Sequence, residues 1–480
     1  MKTKVLPSII QGGLGAGVSG WPLARTVSMA GGLGVVAGTA LDVILARRLQ
    51  AGDPGGHMRR ALDHFPIPGI GKRILDRYFL PSGKAPGERF RPLPLMDENE
   101  SEQRRDLLVA ANFAEVFLAK EGHDGEVGIN LLEKIQLPTL PSLYGAMLAG
   151  VGTVLMGAGI PRAIPSFLDA FAEGKAAELA LDVRGAEPGS SYTVRFDPAD
   201  LFGGPAPRLP RPRFFAIVSS NTVATVMAKK ASGRVDGLVI EGFTAGGHNA
   251  PPRGALQLNE DGEPIFGERD IPKLSAIAKL GLPFWLAGGH ASPEAIREAH
   301  ELGAAGVQIG TAFAFSDESG TDPEFKRRAR AKILAGNARV LTDGRASPTG
   351  FPFKVFQLEG TVSEPEVFHR RSKVCDLGYL RHAYLRENGK LGWRCPAEPE
   401  DIYLKKGGKV EEIVGRKCVC NGLMATIGLG QVQKSGEPEL PILTSGSDTS
   451  VVAKLLEMHG GSYSARDVMA YLLEGAVAVG

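Results

Sequence analysis

Short apolar runs recur along the first two thirds of the chain, and most are rich in valine, isoleucine, leucine and phenylalanine. They lack the strict alternation of apolar and polar residues that marks a strand exposed on one face. They are therefore typical of parallel strands that are buried on both faces. The pattern predicts eight such strands, at residues 8–11, 33–37, 127–131, 153–156, 214–218, 237–240, 284–287 and 306–309.

Helical patterns separate most of these strands, and several end in glycine, which is a common helix stop. Examples are WPLARTVSMAGG, TVATVMAKKASG and SPEAIREAHELG. Eight strands with helical crossovers predict an α/β fold, the (β/α)8 TIM barrel, over residues 1–318. Two intervals are too long for a simple crossover. We therefore expect insertions at about 42–126 and 175–213, and the second has the alternating pattern of a hairpin.

Residues 319–480 lack the rhythm of the barrel and are predicted to form an α-rich C-terminal extension. Its amphipathic segments VVAKLLEM and ARDVMAYLLEG predict two helices. A lid and a metal-binding subdomain are both open as roles for this extension. The segment ASPTGFPFKV, residues 346–355, either folds back over the barrel mouth or is a simple linker.

Composition changes this picture little. The 480 residues are 43% hydrophobic and 22% charged, with a formal net charge of +2, so nothing favours nucleic acid or an anionic membrane as a partner. Glycines and prolines interrupt the longest uncharged run, residues 135–161, which argues against a membrane span. Four cysteines in so long a chain do not make a disulfide scaffold, and a reducing cytoplasm is expected. The oligomeric state stays open, with a homodimer as one option.

The candidate chemistry lies where predicted strands end in glycine-rich loops, since function in such barrels sits at the carboxyl ends of the strands. The seventh and eighth strands end in LAGGHAS and QIGTAF. Free backbone N–H groups beside a helix start would form a phosphate cradle there. The candidates are Gly288, Gly289, Gly310 and Thr311, and the alternative is a pair of tight turns without a ligand.

Two earlier strand ends add to this site. Gly12, Gly13 and Gly15 follow the first strand and would let its backbone approach a large flat ring. Asn130, at the end of VGINLL, places an amide at the mouth. A buried amide needs a hydrogen-bond partner, either a cofactor edge or the neighbouring loop.

His248 follows the sixth strand in EGFTAGGHNAPPRG. An imidazole ordinarily titrates near neutral pH, which suits proton transfer. Its place in a glycine-lined mouth favours a catalytic role over a purely structural one. His290, on the phosphate loop, is interpreted as a supporting or solvent-facing residue.

These pieces together resemble the nitronate monooxygenase family, long called 2-nitropropane dioxygenases. The matching pieces are IIQGGLGAGVSG, GINL, VDGLVIEGFTAGGH, FWLAGGHAS and GAAGVQIGTAF, in the family's order. This family shares an FMN-binding TIM barrel with the flavin-type enoyl-acyl-carrier-protein reductases. The chain departs from the family pattern at Gly13-Leu14, at Thr244, where the family has an acidic residue, and at residues 219–221, SSN.

The resemblance implies which residues would contact FMN. Gly13, Leu14 and Gly15 would lie along the isoalloxazine ring, Asn130 would contact the flavin, and Gly246 and Gly247 would line its face. The residues implied around the phosphate are Ala287, Gly288, Gly289, Gln308, Gly310 and Thr311. His248 matches the family's catalytic histidine.

The resemblance also implies the reaction, an oxidation of alkyl nitronates or nitroalkanes by O2 with FMN as cofactor and His248 as base. One alternative is an NAD(P)H-dependent flavin reductase that acts on an enoyl thioester or a quinone. Outside flavin redox chemistry, the cradle would suit a lyase or isomerase of phosphorylated substrates. A flavin-binding accessory subunit of a larger assembly is a further alternative.

The cysteines all lie in the extension, at Cys375, Cys395, Cys418 and Cys420. Four thiolates are a ligand set for zinc or an iron–sulfur cluster. Their spacing lacks the paired C-x2-C pattern, so four reduced, unlinked thiols are the simpler interpretation. No metal site is therefore assigned.

Overall fold

Eight parallel strands form a closed barrel in the computed structural model, which describes residues 6–99 and 101–474. The strands follow one another around the barrel in the order in which they occur along the chain, and the eighth strand pairs with the first. A bridge between Ile10 and Leu33 closes the ring. The TIM-barrel prediction is confirmed.

The strands are numbered along the chain, and β1–β4 and β8–β11 form the barrel. Their bounds are β1 Ile9–Gln11, β2 Gly34–Ala37, β3 Val127–Leu132, β4 Thr153–Gly157, β5 Ala177–Ala180, β6 Val183–Arg184, β7 Thr193–Phe196, β8 Arg213–Val218, β9 Gly237–Glu241, β10 Phe284–Ala287, β11 Gly306–Ile309, β12 Val340–Asp343, β13 Phe353–Phe356, β14 His382–Leu385 and β15 Leu391–Arg394. All eight predicted barrel strands are present, with ends that differ from the prediction by at most one residue.

Helices cover the outside of the barrel and form most of the additions. Their bounds are α1 Trp21–Met29, α2 Leu41–Gln50, α3 His57–Asp63, α4 Ile70–Tyr78, α5 Glu102–Lys120, α6 Thr139–Leu148, α7 Ile164–Ala172, α8 Ala199–Phe202, α9 Asn221–Lys230, α10 Leu274–Ala278, α11 Pro293–Glu301, α12 Thr311–Ala314, α13 Pro323–Leu334, α14 Pro365–Arg370, α15 Glu400–Lys405, α16 Val410–Ile413, α17 Val419–Thr426, α18 Ser450–Met458 and α19 Ala465–Leu473. Within the described residues, no helix is long and apolar enough to cross a membrane.

The barrel interior is a separate apolar cluster below the mouth. Phe215 and Trp285 stack there with ring centroids 4.5 Å apart, and Val239 packs beside them. The Trp285 indole donates to the Pro7 carbonyl at 2.7 Å, so its one polar group is satisfied. The continuous apolar runs of the sequence follow from this packing, because inward side chains meet each other and outward ones meet the helices.

Two long segments with their own secondary structure lie between barrel strands. The first contains α2 to α5, and the 19-residue α5 packs against α1, α2 and α6. Ser101 caps α5 by accepting a hydrogen bond from the Arg104 N–H. The second contains the predicted hairpin, in which β5 pairs antiparallel with β7.

The extension contains helices α13 to α19 and two hairpins, β12–β13 and β14–β15. Strand β14 pairs in parallel with β6 of the second insertion. At the end of the chain, α18 packs on α13, and α19 packs on α1 and α11. The end of the extension is therefore part of the helix layer outside the barrel.

Candidate functional site

The carboxyl ends of the barrel strands surround one cavity, as the sequence pattern predicts. Most residues proposed for the site line it: Gly13, Leu14, Asn130, Gly246, Ala287, Gly288, Gly289, Gln308, Gly310 and Thr311. Gly15 and Gly247 are not part of this wall, and Gly15 instead lies against the Val18 side chain at a φ of +66°. His248 is also outside the wall.

Asn130 of β3 contacts Gly13, which follows β1. The Asn130 side-chain Nδ2 donates to the Gly13 carbonyl at 3.1 Å. A Cβ at position 13 would lie 2.6 Å from the Asn130 Cβ, so this position needs glycine. The Asn130 Oδ1 is buried and accepts no hydrogen bond from the described residues. A buried acceptor without a partner calls for a ligand that carries an N–H or O–H donor.

The proposed phosphate cradle is open toward the cavity. Gly288 and Gly289 have φ angles of +93° and +76°, a region that favours glycine. A Cβ at Gly310 would meet no atom within 4 Å. The hydrogen bonds found among the described residues leave the N–H groups of Gly289 and Gly310 without an acceptor. Such N–H groups bind anions through dipoles and not through side-chain charge.

The extension supplies part of the wall, which the sequence did not indicate. Its residues Gly446, Asp448 and Val451 line the cavity. The Gly446 N–H donates to the Thr311 Oγ at 2.8 Å. A Cβ at Gly246 would lie 2.8 Å from the Gly446 nitrogen, so that glycine makes room for the returning chain.

Glu241 is a cavity residue that the sequence analysis missed. It ends β9 and lines the wall, and no described residue forms a hydrogen bond or ion pair with its carboxyl group. Burial raises the pKa of Glu241 to about 8, so the group is mostly neutral at pH 7. In the sheet it pairs with Ala287 of β10, a residue that the sequence analysis assigned to the site.

His248 lies against residues of the extension at the rim. Its Nε2 is 2.7 Å from the Ser347 Oγ, and its ring meets Phe353 edge-on at 4.8 Å between centroids. Ser347 is fully buried, and its hydroxyl lies 2.8 Å from the Thr349 Oγ. Burial lowers the pKa of His248 to about 4, so the imidazole is neutral at pH 7.

The segment 346–355 folds back at the barrel mouth, which was one of its two predicted roles. The Lys354 N–H donates to the Gly247 carbonyl at 2.9 Å. The Asn249 N–H donates to the Pro352 carbonyl, also at 2.9 Å. Residues 347–354 therefore hold the loop that carries His248.

The four cysteines of the extension are free and lie near one another in space. Burial raises the thiol pKa of Cys375 to about 12, and it also raises those of Cys395, Cys418 and Cys420. In the described ranges, no three His, Cys, Asp or Glu side chains are grouped so that they could hold a metal ion. The geometry therefore lends no support to a zinc or iron–sulfur site.

Comparison with protein families supports the resemblance seen in the motifs. The family model described as nitronate monooxygenase matches residues 207–342, the part of the chain that contains β8 to β11. The resemblance to this family is therefore confirmed over that region. The motifs at the first and third strands lie outside the match.

Curated relatives match a similar share of the chain. The nitronate monooxygenase of Pseudomonas aeruginosa is 33% identical over 140 residues, which is 29% of this chain and 38% of that protein. A probable nitronate monooxygenase of Bacillus subtilis is 36% identical over 121 residues, 25% of this chain and 32% of that protein. The alignments thus span about a third of the length of these relatives.

Solved structures are similar along the whole chain at low identity. FabK from Thermotoga maritima has a TM-score of 0.48 and 16% identity, covering 99% of this chain and 94% of that one. A nitroalkane oxidase from Streptomyces ansochromogenes has a TM-score of 0.45 and 15% identity, covering 100% and 99% of the two chains. The fold assignment here rests on the strand order of the chain itself.

Proposed function

We propose that this chain is an FMN-dependent oxidoreductase that oxidises alkyl nitronates or nitroalkanes with O2. The observation that carries the proposal is the cavity at the strand ends, with an open glycine cradle at one end and the unpartnered Asn130 Oδ1 in its wall. The family match over residues 207–342 supports this chemistry above others.

The residues present fit a flavin mononucleotide. The N–H groups of Gly289 and Gly310 suit the phosphate, and Ala287, Gly288, Gln308 and Thr311 surround the same place. Gly13 and Leu14 would lie along the ring, and the Asn130 Oδ1 would accept from a ring N–H. When bound, FMN supplies electron transfer between the substrate and O2.

His248 is the residue proposed to accept the substrate proton. Its neutral imidazole can accept the proton from the carbon beside a nitro group, which gives the nitronate. Ser347 fixes the ring through the hydrogen bond to Nε2, so the orientation of the imidazole is set before substrate arrives. A nitronate that is already anionic needs no such base.

The test of the function begins with the visible spectrum of the purified protein and the chromatographic identity of the released cofactor. O2 uptake is then measured with nitroethane and with preformed ethylnitronate. The His248→Asn variant should lose about a hundredfold or more of the nitroethane rate, the usual range for a general base. Its rate with ethylnitronate should fall much less. His123→Asn is the control, because His123 lies between α5 and β3, at the end of the barrel opposite the cavity.

A protein that neither carries nor takes up FMN would refute the proposal. Equal losses with both substrates would remove His248 from the role of base. A flavoprotein that consumes NAD(P)H with an enoyl thioester or a quinone, and takes up no O2 with nitronate, would establish the reductase alternative. One relative, 30% identical over 143 residues, is named as the dehydrogenase of a CoA ester in Mycobacterium tuberculosis.

A further inference from the structure

A second cavity of about 370 Å³ lies beside the His248 loop, and the proposed reaction does not use it. We call it the rim cavity, and its wall is formed by residues 134–138, 182–184, 348–349 and 378–383 with Met96 and Trp393. Residues 134–138 follow β3 directly, so the cavity lies at the same end of the barrel as the proposed FMN site.

The wall combines apolar and cationic side chains. Ile135, Leu137 and Trp393 supply apolar surface, whereas Lys134 and Arg184 bring positive charge. These two cations have carboxylate partners, since Lys134 lies 3.2 Å from Asp182 and Arg184 lies 3.0 Å from Glu412. Lys134 and Arg184 therefore add polar surface to the wall, and their positive charges are largely neutralised by these carboxylates.

Arg381 is different, because no described carboxylate lies within 4 Å of its guanidinium group. The group donates instead to the carbonyls of Met96 and Gly378. Burial lowers the pKa of Arg381, and the more distant carboxylates Glu398 and Asp97 offset only part of this effect. A half-buried guanidinium that faces a cavity in this state is suited to an anionic ligand group.

The neighbouring histidine is uncharged, mainly because it is buried. Burial lowers the pKa of His382 to about 3, and the cations Arg184 and Arg394 lower it further. The Arg394 Nε is 3.2 Å from the His382 Nε2. His382 is therefore neutral at pH 7 and adds no charge to the wall, and Glu412 offsets part of the effect of the two arginines.

Hydrogen bonds connect the rim cavity to the candidate base. Thr349 lines the cavity, its Oγ lies 2.8 Å from the Ser347 Oγ, and Ser347 in turn lies 2.7 Å from the His248 Nε2. Two hydrogen bonds thus separate the cavity wall from the imidazole. A ligand in this cavity would lie against the chain of hydrogen bonds that orients His248.

We propose that the rim cavity binds the part of the substrate remote from the reacting carbon, and that this part is an apolar chain with an anionic group at its end. The reacting end of this substrate is taken from the proposed function. The binding site for the remote part is inferred from the rim cavity alone. A carboxylate and a phosphate share the chemistry that Arg381 recognises.

The experiment is calorimetric titration of the purified, flavin-loaded protein with octanoate, octyl phosphate and octanol, which share one chain and differ at its end. At least one of the two anions should bind about tenfold or more tightly than octanol, since a hydrogen bond to a charged group supports such a ratio. Whichever anion binds better identifies carboxylate or phosphate as the natural end group.

Arg381→Gln should weaken binding of that anion by about tenfold and leave octanol unchanged. Arg184→Gln, at an exposed position of the same wall, should weaken it by a smaller factor. Arg195→Gln is the matched control. Arg195 lies in the same insertion as Arg184 and pairs with Asp197, but it does not line the cavity. Bound flavin and the melting temperature check that each variant folds.

Octanol that binds as tightly as both anions would overturn the proposal, and so would equal losses in Arg195→Gln and Arg381→Gln. Failure of all three ligands to bind a protein that holds FMN would also overturn it, while leaving the proposed function intact. Tight anion binding by a protein without FMN would support the rim cavity and count against the proposed function.

Discussion

Burial shifts the pKa values of two residues beside the proposed FMN site in opposite directions. Burial raises the pKa of Glu241 to about 8 and lowers that of His248 to about 4. Both side chains are therefore mainly uncharged at pH 7. A neutral imidazole can act as a base, whereas a neutral carboxyl group can donate a hydrogen bond to a ligand. The same burial thus keeps both groups uncharged: it makes Glu241 a hydrogen-bond donor and leaves His248 as a free imidazole of lowered basicity.

Glu241 makes the stability of the protein depend on pH. Its pKa in the folded state is about 8, against an ordinary value of 4.5. Between these values the folded state holds a proton that the unfolded state releases, so this contribution to stability decreases as pH rises from 5 to 8. Glutamine has no such proton. We therefore expect the melting temperature of Glu241→Gln to rise relative to wild type as pH goes from 5 to 8.

Thermal unfolding of the flavin-free protein at several pH values measures this difference. Glu301→Gln, at an exposed position of α11, is the control and should show a constant difference from wild type. A Glu241→Gln difference that also stays constant would show that the carboxyl group titrates normally. Glu241 would then be ionised at the site at pH 7.

At the scale of elements, the sequence was enough to predict the barrel strands. It was enough to predict only part of the cavity wall. Parallel strands buried on both faces give continuous apolar runs, which is why all eight barrel strands were found. Glu241 was missed because a charged residue at the end of such a run looks like the boundary of the strand. The contact between Gly446 and Thr311 joins positions 135 residues apart, and no local pattern indicates it.

The cradle between β11 and α12 permits a test that separates cofactor binding from folding. A Cβ at Gly310 meets nothing within 4 Å, and its φ of −108° suits alanine. Gly310→Ala should therefore leave the melting temperature of the flavin-free protein nearly unchanged. The new methyl group would occupy space beside the phosphate. The dissociation constant of FMN should rise by about tenfold or more, the equivalent of one lost charged hydrogen bond.

Gly267→Ala is the matched control, because Gly267 also has open space at its Cβ and a φ of −131°, but lies outside the cavity wall. Fluorescence titration with FMN compares the two variants. Unchanged FMN affinity in Gly310→Ala would mean that the phosphate lies elsewhere. A large drop in melting temperature would mean that the glycine is structural.

At the scale of the whole molecule, the extension and the barrel share one hydrophobic core. Buried residues of both belong to the same apolar cluster. Tyr463, just before α19, donates from its hydroxyl group to the Ala312 carbonyl at 2.7 Å. Helix α19 then packs on α1 and α11, which flank the first and last barrel strands. We therefore propose that the extension does not fold as an independent unit, although the sequence pattern changes at residue 319.

A substitution in α19 should consequently destabilise the barrel and its flavin site together. Leu472 is 1% exposed, so Leu472→Ala should reduce the free energy of unfolding by about 2–5 kcal/mol. Circular dichroism and the release of FMN fluorescence should both shift to lower temperature by the same amount, because one cooperative unit unfolds. Leu404→Ala, at a leucine 37% exposed on α15, should change stability by about 0.5 kcal/mol or less. Two separate transitions, with FMN release unaffected by Leu472→Ala, would instead show that the extension unfolds by itself.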